Sequence, residues 1–345
     1  VIESRGAIAY RHHEQSGAEI MSDVAPSSGL VTIFGGSGFV GRHLVRALTK
    51  RGWRVRVAVR RPDLAGHVQP QGIVGQIQAV QANLRYPDSV ARAVDGADAV
   101  VNLVGILYES GNQRFTTVHR DGAQVIARAA AAAGARHFVH MSALGADAQA
   151  ESLYSQSKAA GEAAVLAERP DAMIVRPSII FGPEDNFFNQ FAAMARLAPA
   201  LPLIGGGHTR FQPVYVVDVA EAMAMGVEGE ARPGTVYELG GPAVMSFREI
   251  LEFILATTHR KRALVTLPFT LAEIQARVLE MLPKPLLTYD QVQSLRVDNL
   301  VSGAAVREGR TLEGLGIKPA AVEAIVPSYL YRFRKSGQFD RSRAA

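Results

Sequence analysis

A short apolar run, Leu30–Phe34, leads directly into Gly35-Gly-Ser-Gly38-Phe-Val-Gly41, and a helical pattern follows to Arg51. Glycines at this G-x-x-G-x-x-G spacing, between a strand and a helix, constrain the fold more than any other feature of the chain. Gly35 permits a tight turn, Gly38 lets the backbone approach a pyrophosphate, and Gly41 lets the helix pack on the strand. The anion then rests on the helix N-terminus. Ser37 and Phe39 add backbone contacts. A merely flexible loop explains glycines, but not glycines with both flanks in register.

The same rhythm continues downstream. Strands are expected at Arg54–Val59, Ile77–Val80, Ala99–Leu103, His137–Met141 and Met173–Val175, with helices near Asp88–Val94, Thr116–Ala133 and Leu153–Glu168. Short β-branched runs alternating with Ala-rich helices are the pattern of βαβ units. The strands are continuously apolar, as strands covered on both faces must be. The expected fold class is therefore α/β, a Rossmann-type doubly wound parallel sheet with a smaller C-terminal α/β lobe and the ligand at the carboxyl ends of the strands. The chain divides into a lead (1–29), a dinucleotide domain (30–182), a smaller lobe interleaved with the first sheet (183–330) and a basic, aromatic tail (331–345). The lead is expected to be disordered, with Met21-Ser-Asp as an alternative start. In the smaller lobe, helices are expected at Asn186–Leu197, Val217–Gly226, Phe247–Thr257, Leu271–Leu282 and Asp290–Asp298, and a strand at Thr235–Leu239.

Composition removes several function classes. With 48% hydrophobic and 20% charged residues, the chain builds a core rather than remaining unfolded. It has no cysteine, so disulfides, thiol nucleophiles, iron–sulfur clusters and zinc–thiolate sites are out. Most of the net charge of +5 sits in the last fifteen residues, where Arg332, Arg334, Lys335, Arg341 and Arg343 face only Asp340. A basic surface that wraps nucleic acid is not expected. No apolar run reaches the ~20 residues of a membrane span, so the expectation is a soluble or peripheral protein.

The second strand ends in Arg60-Arg61, where a site selecting NAD would carry an acidic residue for the ribose hydroxyls. A planar guanidinium pairs with a 2′-phosphate instead, which favours NADPH over NADH. The alternative is solvation in a basic stretch, since residues 42–61 hold eight Lys and Arg and no acid. Asn83 and Leu84 follow the third strand, and Asn102, Val104 and Gly105 follow the fourth, on the expected paths of adenine and the nicotinamide ribose. Simple turn formation is the competing explanation for them. Tyr154 and Lys158 lie four apart on one helical face, so an ammonium can stabilise a phenolate and reach the ribose. They follow the fifth strand and Ser142.

Together, Gly35–Gly41, Asn102-Leu-Val-Gly105, Tyr154/Lys158 and Arg176-Pro-Ser-Ile-Ile-Phe-Gly182 resemble an extended short-chain dehydrogenase/reductase. Val101–Glu109, His137–Leu144, Phe181–Asn189, Gly206–Asp218, Leu287–Val292 and Asp298–Val301 narrow the resemblance to the atypical branch that contains the nucleotide-binding accessory subunit of respiratory complex I and its bacterial relatives. The resemblance implies Tyr154 as general acid/base, Lys158 as the group that lowers its pKa, and Ser142 on the substrate oxygen. It also implies cofactor contacts at Pro177, Ser178 and Ile179. The interval from Ser142 to Tyr154 is shorter than in the sugar-nucleotide epimerases, and Ala143–Leu153 lacks their second serine-rich turn. The branch therefore implies an NADPH that is structural or regulatory, held beside complex I subunits near the quinone site. That place is peripheral at the inner membrane, on its cytoplasmic side in bacteria or its matrix side in mitochondria. A free NAD(P)-dependent oxidoreductase or epimerase is the alternative, and a sensor of NADPH occupancy a further one.

Other features have structural explanations. His137 and His140 fall on opposite faces of a strand, and His12-His13 lies in the lead, so no metal site is expected. Glu184 and Asp185 read as helix-start residues. Phe269, Leu271, Ile274, Val278 and Leu282 share one helical face, for which core packing is the ordinary expectation and a groove or membrane surface the alternative. Tyr329-Leu-Tyr-Arg-Phe-Arg-Lys335 suits lipid headgroups or an acidic partner, unless its charge is simply solvated.

Overall fold

The computed structural model describes residues 29–282 and 285–335. Six parallel strands, β1 (Leu30–Phe34), β2 (Arg54–Val59), β3 (Ile77–Gln81), β4 (Ala99–Asn102), β5 (His137–Met141) and β6 (Met173–Pro177), form one sheet in the order 3-2-1-4-5-6. Val236–Leu239 comes back from the later half of the chain to pair with β6 as a seventh parallel strand. The order reverses between β1 and β4, which leaves a crevice at their carboxyl ends.

Each face of the sheet has its own core. Val31 and Ile33 point toward α1 (Phe39–Lys50) and a second helix, Val216–Glu228, in a cluster with Leu44, Leu48 and Met223. Phe34 and Val100 point the other way, toward α2 (Pro87–Val94), α3 (Gly122–Ala132) and α4 (Leu153–Glu168), where Ala123, Ile126 and Val165 are fully buried. Two-sided burial is why β4 has no exposed residue. The continuous helix expected from Thr116 instead opens as a π-turn over Thr116–Asp121 before α3 begins.

The smaller lobe is organised around phenylalanine. Phe181, Phe188, Phe211 and Phe247 meet with Ile250 and Leu251 between α5 (Phe187–Leu197) and α7 (Phe247–Thr257), and the helix Val216–Glu228 lies between them in sequence as α6. A parallel pair that the sequence pattern did not disclose, Ala200–Ile204 with Ala263–Leu267, supports α8 (Phe269–Leu279) and α9 (Tyr289–Ser294). Tyr329 and Leu330 are buried in this lobe, Arg332 donates to Asn189 Oδ1 (2.6 Å), and Arg334 to the Thr257 carbonyl (2.9 Å). The described part of the tail is thus packed on its own lobe; residues 336–345 lie outside the described residues.

One expectation is corrected here. Of the apolar face of the α8 segment, Phe269 packs on the cluster around Ile204, but Leu271, Ile274, Val278 and Leu282 do not pack into the core. Ala272 and Ala276 are the buried residues of the helix, while Ile274 (63% exposed), Val278 (62%) and Met281 (84%) face outward with Leu271 and Leu282. Small residues let the helix sit close to Ile204 and Val292, and the larger ones are left on the opposite side.

Candidate functional site

At the head of β1 the backbone turns at Gly35, whose φ of +80° favours glycine. A side chain at Gly41 would place its Cβ 2.5 Å from the Gly35 carbonyl oxygen and 2.6 Å from Gly36 Cα, so the helix can sit this close only without one. Gly38 caps α1 with no side-chain acceptor, and the first turn has no carboxylate. A bare helix end with positive dipole character, reached by a backbone without side chains, fits an anion such as a pyrophosphate. The Ser37 carbonyl meets His67 Nε2 at 3.1 Å, tying the loop after β2 to this turn, and Phe39 packs into the core beneath it.

The two arginines after β2 differ. Arg61 is held by Asp63 at 2.7 Å, and this partner raises its pKa further. Arg60 is exposed and donates to a neutral acceptor, Gln113 Oε1, at 3.3 Å. Beyond β3, Asn83 Oδ1 accepts from Arg85 N–H in an Asx turn, and Leu84 packs against Gly122. Beyond β4, Asn102 is buried, its Oδ1 accepting from Val104 N–H and its Nδ2 lying 3.1 Å from His140 Nδ1. Gly105 runs beside His119. Pro177 ends β6; Ser178 donates to Asn299 Oδ1 at 2.7 Å, and Ile179 packs on the smaller lobe.

Lys158 and Ser142 are brought together at the end of β5. Lys158 is 4% exposed, its Nζ donates to the Met141 carbonyl at 2.7 Å, and burial lowers its pKa to about 8 despite the nearby Glu162. Glu162 is itself gripped by Arg176 in a bidentate pair at 2.6 and 2.8 Å. The Ser142 backbone N–H donates to Val175, but its buried Oγ has no hydrogen-bond partner among the described residues. Tyr154 is half-buried, and burial together with the Asp290 carboxylate pushes its phenol up to about 12.

Two residues that sequence reasoning did not single out organise this corner. His119, on the π-turn, is 2% exposed. Its Nε2 accepts from Ile106 N–H (3.0 Å), so Nδ1–H donates to Ser157 Oγ (2.8 Å), which donates in turn to the Tyr154 carbonyl (2.7 Å). Its ring lies edge-on to Tyr154 at 5.5 Å. Burial and the Lys158 charge hold its pKa near 3, so it remains neutral and keeps this tautomer. Asp290, from α9, accepts from Leu153 N–H (2.6 Å), Tyr154 N–H (3.3 Å) and Ser152 Oγ (2.9 Å) at the N-terminus of α4. No local motif marks His119, because the π-turn and its burial give it this role. The only signal for Asp290 was the capping pattern Thr288-x-x-Gln291 next to it, which makes a capping box at α9.

Glu184 and Asp185 have structural partners. Asp185 caps the start of α5 through Asn189 N–H and accepts from Tyr329 Oη, while Glu184 meets His43 and Arg42. No group of three or more His, Asp or Glu is arranged for a metal among the described residues.

These features define a Rossmann-type fold with a glycine cradle and a tyrosine–lysine pair at its crevice. The profile of the NAD dependent epimerase/dehydratase family matches residues 31–240, and the chain belongs to that family, within the extended short-chain dehydrogenases/reductases. The family and its NAD-bound structural relatives support nicotinamide-nucleotide binding by this chain. The chain is 35% identical over 323 residues to the mitochondrial NADH dehydrogenase [ubiquinone] 1 alpha subcomplex subunit 9 of Arabidopsis thaliana, covering 90% of this chain and 79% of that one. It is 40% identical over 192 residues to the ceramide reductase of Caulobacter vibrioides, covering 56% of this chain and 59% of that one. Among solved structures, the dTDP-glucose 4,6-dehydratase DesIV of Streptomyces venezuelae superposes with a TM-score of 0.65 at 20% identity, covering 88% of this chain and 96% of that one.

Proposed function

We propose that this chain is an accessory subunit of NADH:ubiquinone oxidoreductase in which a bound NADPH is structural or regulatory rather than turned over. The α1 N-terminus would hold the pyrophosphate, Arg60 the 2′-phosphate, and Lys158 the nicotinamide ribose. When bound, NADPH supplies a transferable hydride. The chain's own residues are poorly tuned to use it. A general acid/base works best with a pKa near the operating pH, yet Tyr154 is pushed up to about 12 by burial and by Asp290. The similarity to the Arabidopsis subunit along most of both chains carries this reading and supports the assembly, and the raised phenol of Tyr154 fits it. No helix among the described residues is long and apolar enough to cross a membrane, which suits a peripheral place at the inner membrane.

Purification of the tagged chain from gently solubilised native membranes is expected to bring quinone-reductase subunits with it and to yield NADPH on acid extraction. Migration of the chain alone would refute the assembly. A second reading, a free reductase, is favoured by the likeness to the ceramide reductase and by the intact Tyr154/Lys158 pair. It requires steady oxidation of NADPH that is abolished in Tyr154→Phe.

A further inference from the structure

The segment that leaves β4, Leu103–Ile106, is neither helix nor strand, and it borders the crevice at the carboxyl ends of β1 and β4. Its first half is tied to the sheet. Leu103 N–H donates to the Phe34 carbonyl and Val104 N–H to Asn102 Oδ1, each at 3.0 Å. Gly105 is exposed. Among the described residues, Ile106 N–H to His119 Nε2 (3.0 Å) is the one hydrogen bond that joins this segment to the helical side of the crevice.

His119 holds α4 at the same time. Its Nδ1–H donates to Ser157 Oγ (2.8 Å), one residue before Lys158, and its ring stacks on Phe115 at 5.5 Å. The main chain of His119 fixes how close the helix comes. A Cβ at Gly161 would collide with the His119 carbonyl, so α4 meets the π-turn there backbone to backbone. The ring therefore starts from a fixed depth, and each of its nitrogens reaches a different wall: Nε2 the loop after β4, Nδ1 the helix that carries Tyr154 and Lys158. A neutral imidazole has one acceptor and one donor nitrogen, and both are taken. It acts on a ligand only through the two walls it joins.

We propose that His119 is a positioning residue for the nicotinamide half of the dinucleotide, holding the Leu103–Ile106 wall in place opposite Lys158. The adenosine half, on the α1 and β2 side, does not depend on it. The proposal rests on the reading that puts the nicotinamide ribose at Lys158; it requires neither turnover nor assembly with other subunits.

The test compares two ligands of the full chain by calorimetry: NADPH, and 2′,5′-ADP, which carries the adenosine and its phosphates but no nicotinamide. His119→Phe keeps a stacked ring and loses both hydrogen bonds. It is expected to weaken NADPH at least tenfold, since Ile106 N–H loses its acceptor, and 2′,5′-ADP less than twofold. His119→Gln, whose Oε1 can stand in for Nε2, should bring NADPH binding back to within threefold of the parent. Ser157→Ala frees the other nitrogen and should weaken NADPH at least threefold, again with 2′,5′-ADP unchanged; this small substitution decides the matter if His119→Phe does not fold. Equal losses for both ligands would make His119 a packing residue and overturn the proposal, as would unchanged NADPH binding or a glutamine that recovers nothing. A parent that binds the two ligands equally refutes the nicotinamide assignment at Lys158, and the proposal with it. A parent that prefers NADPH, with variants that keep the preference, overturns the positioning role alone.

Discussion

The two helix N-termini that border the site are finished in opposite ways. α1 begins at a bare glycine with no side-chain acceptor and no acid in its first turn. α4 begins at Ser152, whose hydroxyl is accepting already, and a carboxylate from a distant part of the chain covers its first N–H groups. Both ends carry the same positive dipole character. At α1 that character is left for a ligand; at α4 it is spent on Asp290. The difference leaves the α1 end open to an anion and the α4 end already covered by a carboxylate, which makes the Tyr154 corner acidic.

The comparison breaks most completely if α1 is lifted from its turn. In Gly41→Ala the new Cβ would collide with the backbone of Gly35 and Gly36, which cannot step aside as a side chain can. Overpacking of this kind costs about 1–3 kcal/mol, and the rigid backbone here puts it at the upper end. The variant is expected to melt several degrees lower and to lose at least tenfold in NADPH affinity by calorimetry; unchanged binding would show that the close approach is not needed.

Next in size is Lys158. Its ammonium is buried and its pKa is lowered to about 8 from 10.5, so at pH 7 the folded chain bears a desolvated charge that the unfolded chain solvates. That burden is on the order of 1–3 kcal/mol. Lys158→Met is therefore expected to raise the melting temperature of the unliganded protein at pH 7 while weakening dinucleotide binding. The sign follows from proton counting. Between about pH 8 and 10.5 the unfolded chain binds the extra proton, so the parent gains stability with rising pH and the gap to the methionine variant closes. A gap that is constant with pH would mean the lysine carries no such burden.

Much of this architecture was legible in the residues. Leu30–Phe34, Arg54–Val59, His137–Met141, Leu153–Glu168 and Phe247–Thr257 have the bounds their periodicity and caps indicate. Those signals are local, and apolar runs covered by two helical layers leave little room for another register. The missing parts are non-local. The pair Ala200–Ile204 and Ala263–Leu267 joins segments about sixty residues apart. Asp290 reaches a helix 136 residues upstream at Tyr154. α8 shows the limit most plainly: its period revealed an apolar face, but a period does not say what covers that face, and here alanines on the other side make the contact. His119 depends on a π-turn that no spacing rule encodes.

The α4 end offers a smaller, sharper test. Asp290→Asn keeps a hydrogen-bond acceptor at the first turn but removes its charge, which should cost about 1 kcal/mol. The negative charge of Asp290 also raises the Tyr154 pKa, so its removal should bring the phenol below about 12. An absorbance titration of the variant, with Tyr154→Phe as the blank, would read the shift. No shift would separate Asp290 from the tyrosine and leave burial alone as the cause.

The last test belongs to the α1 side and concerns which dinucleotide it keeps. Arg61 must leave Asp63 before it can serve a phosphate, whereas Arg60 has only to release Gln113. The charge-assisted bonds of a 2′-phosphate should therefore fall mainly to Arg60, at about 1.5 kcal/mol. Arg60→Glu is expected to weaken NADPH about tenfold and NADH less than twofold, and Arg61→Ala to change either less than threefold. Equal NADPH and NADH affinities in the parent would remove the 2′-phosphate from the argument. A larger loss in Arg61→Ala than in Arg60→Glu would show that Asp63 releases its partner to the ligand, so that the basic end, like the acidic one, has a carboxylate governing which charge it accepts.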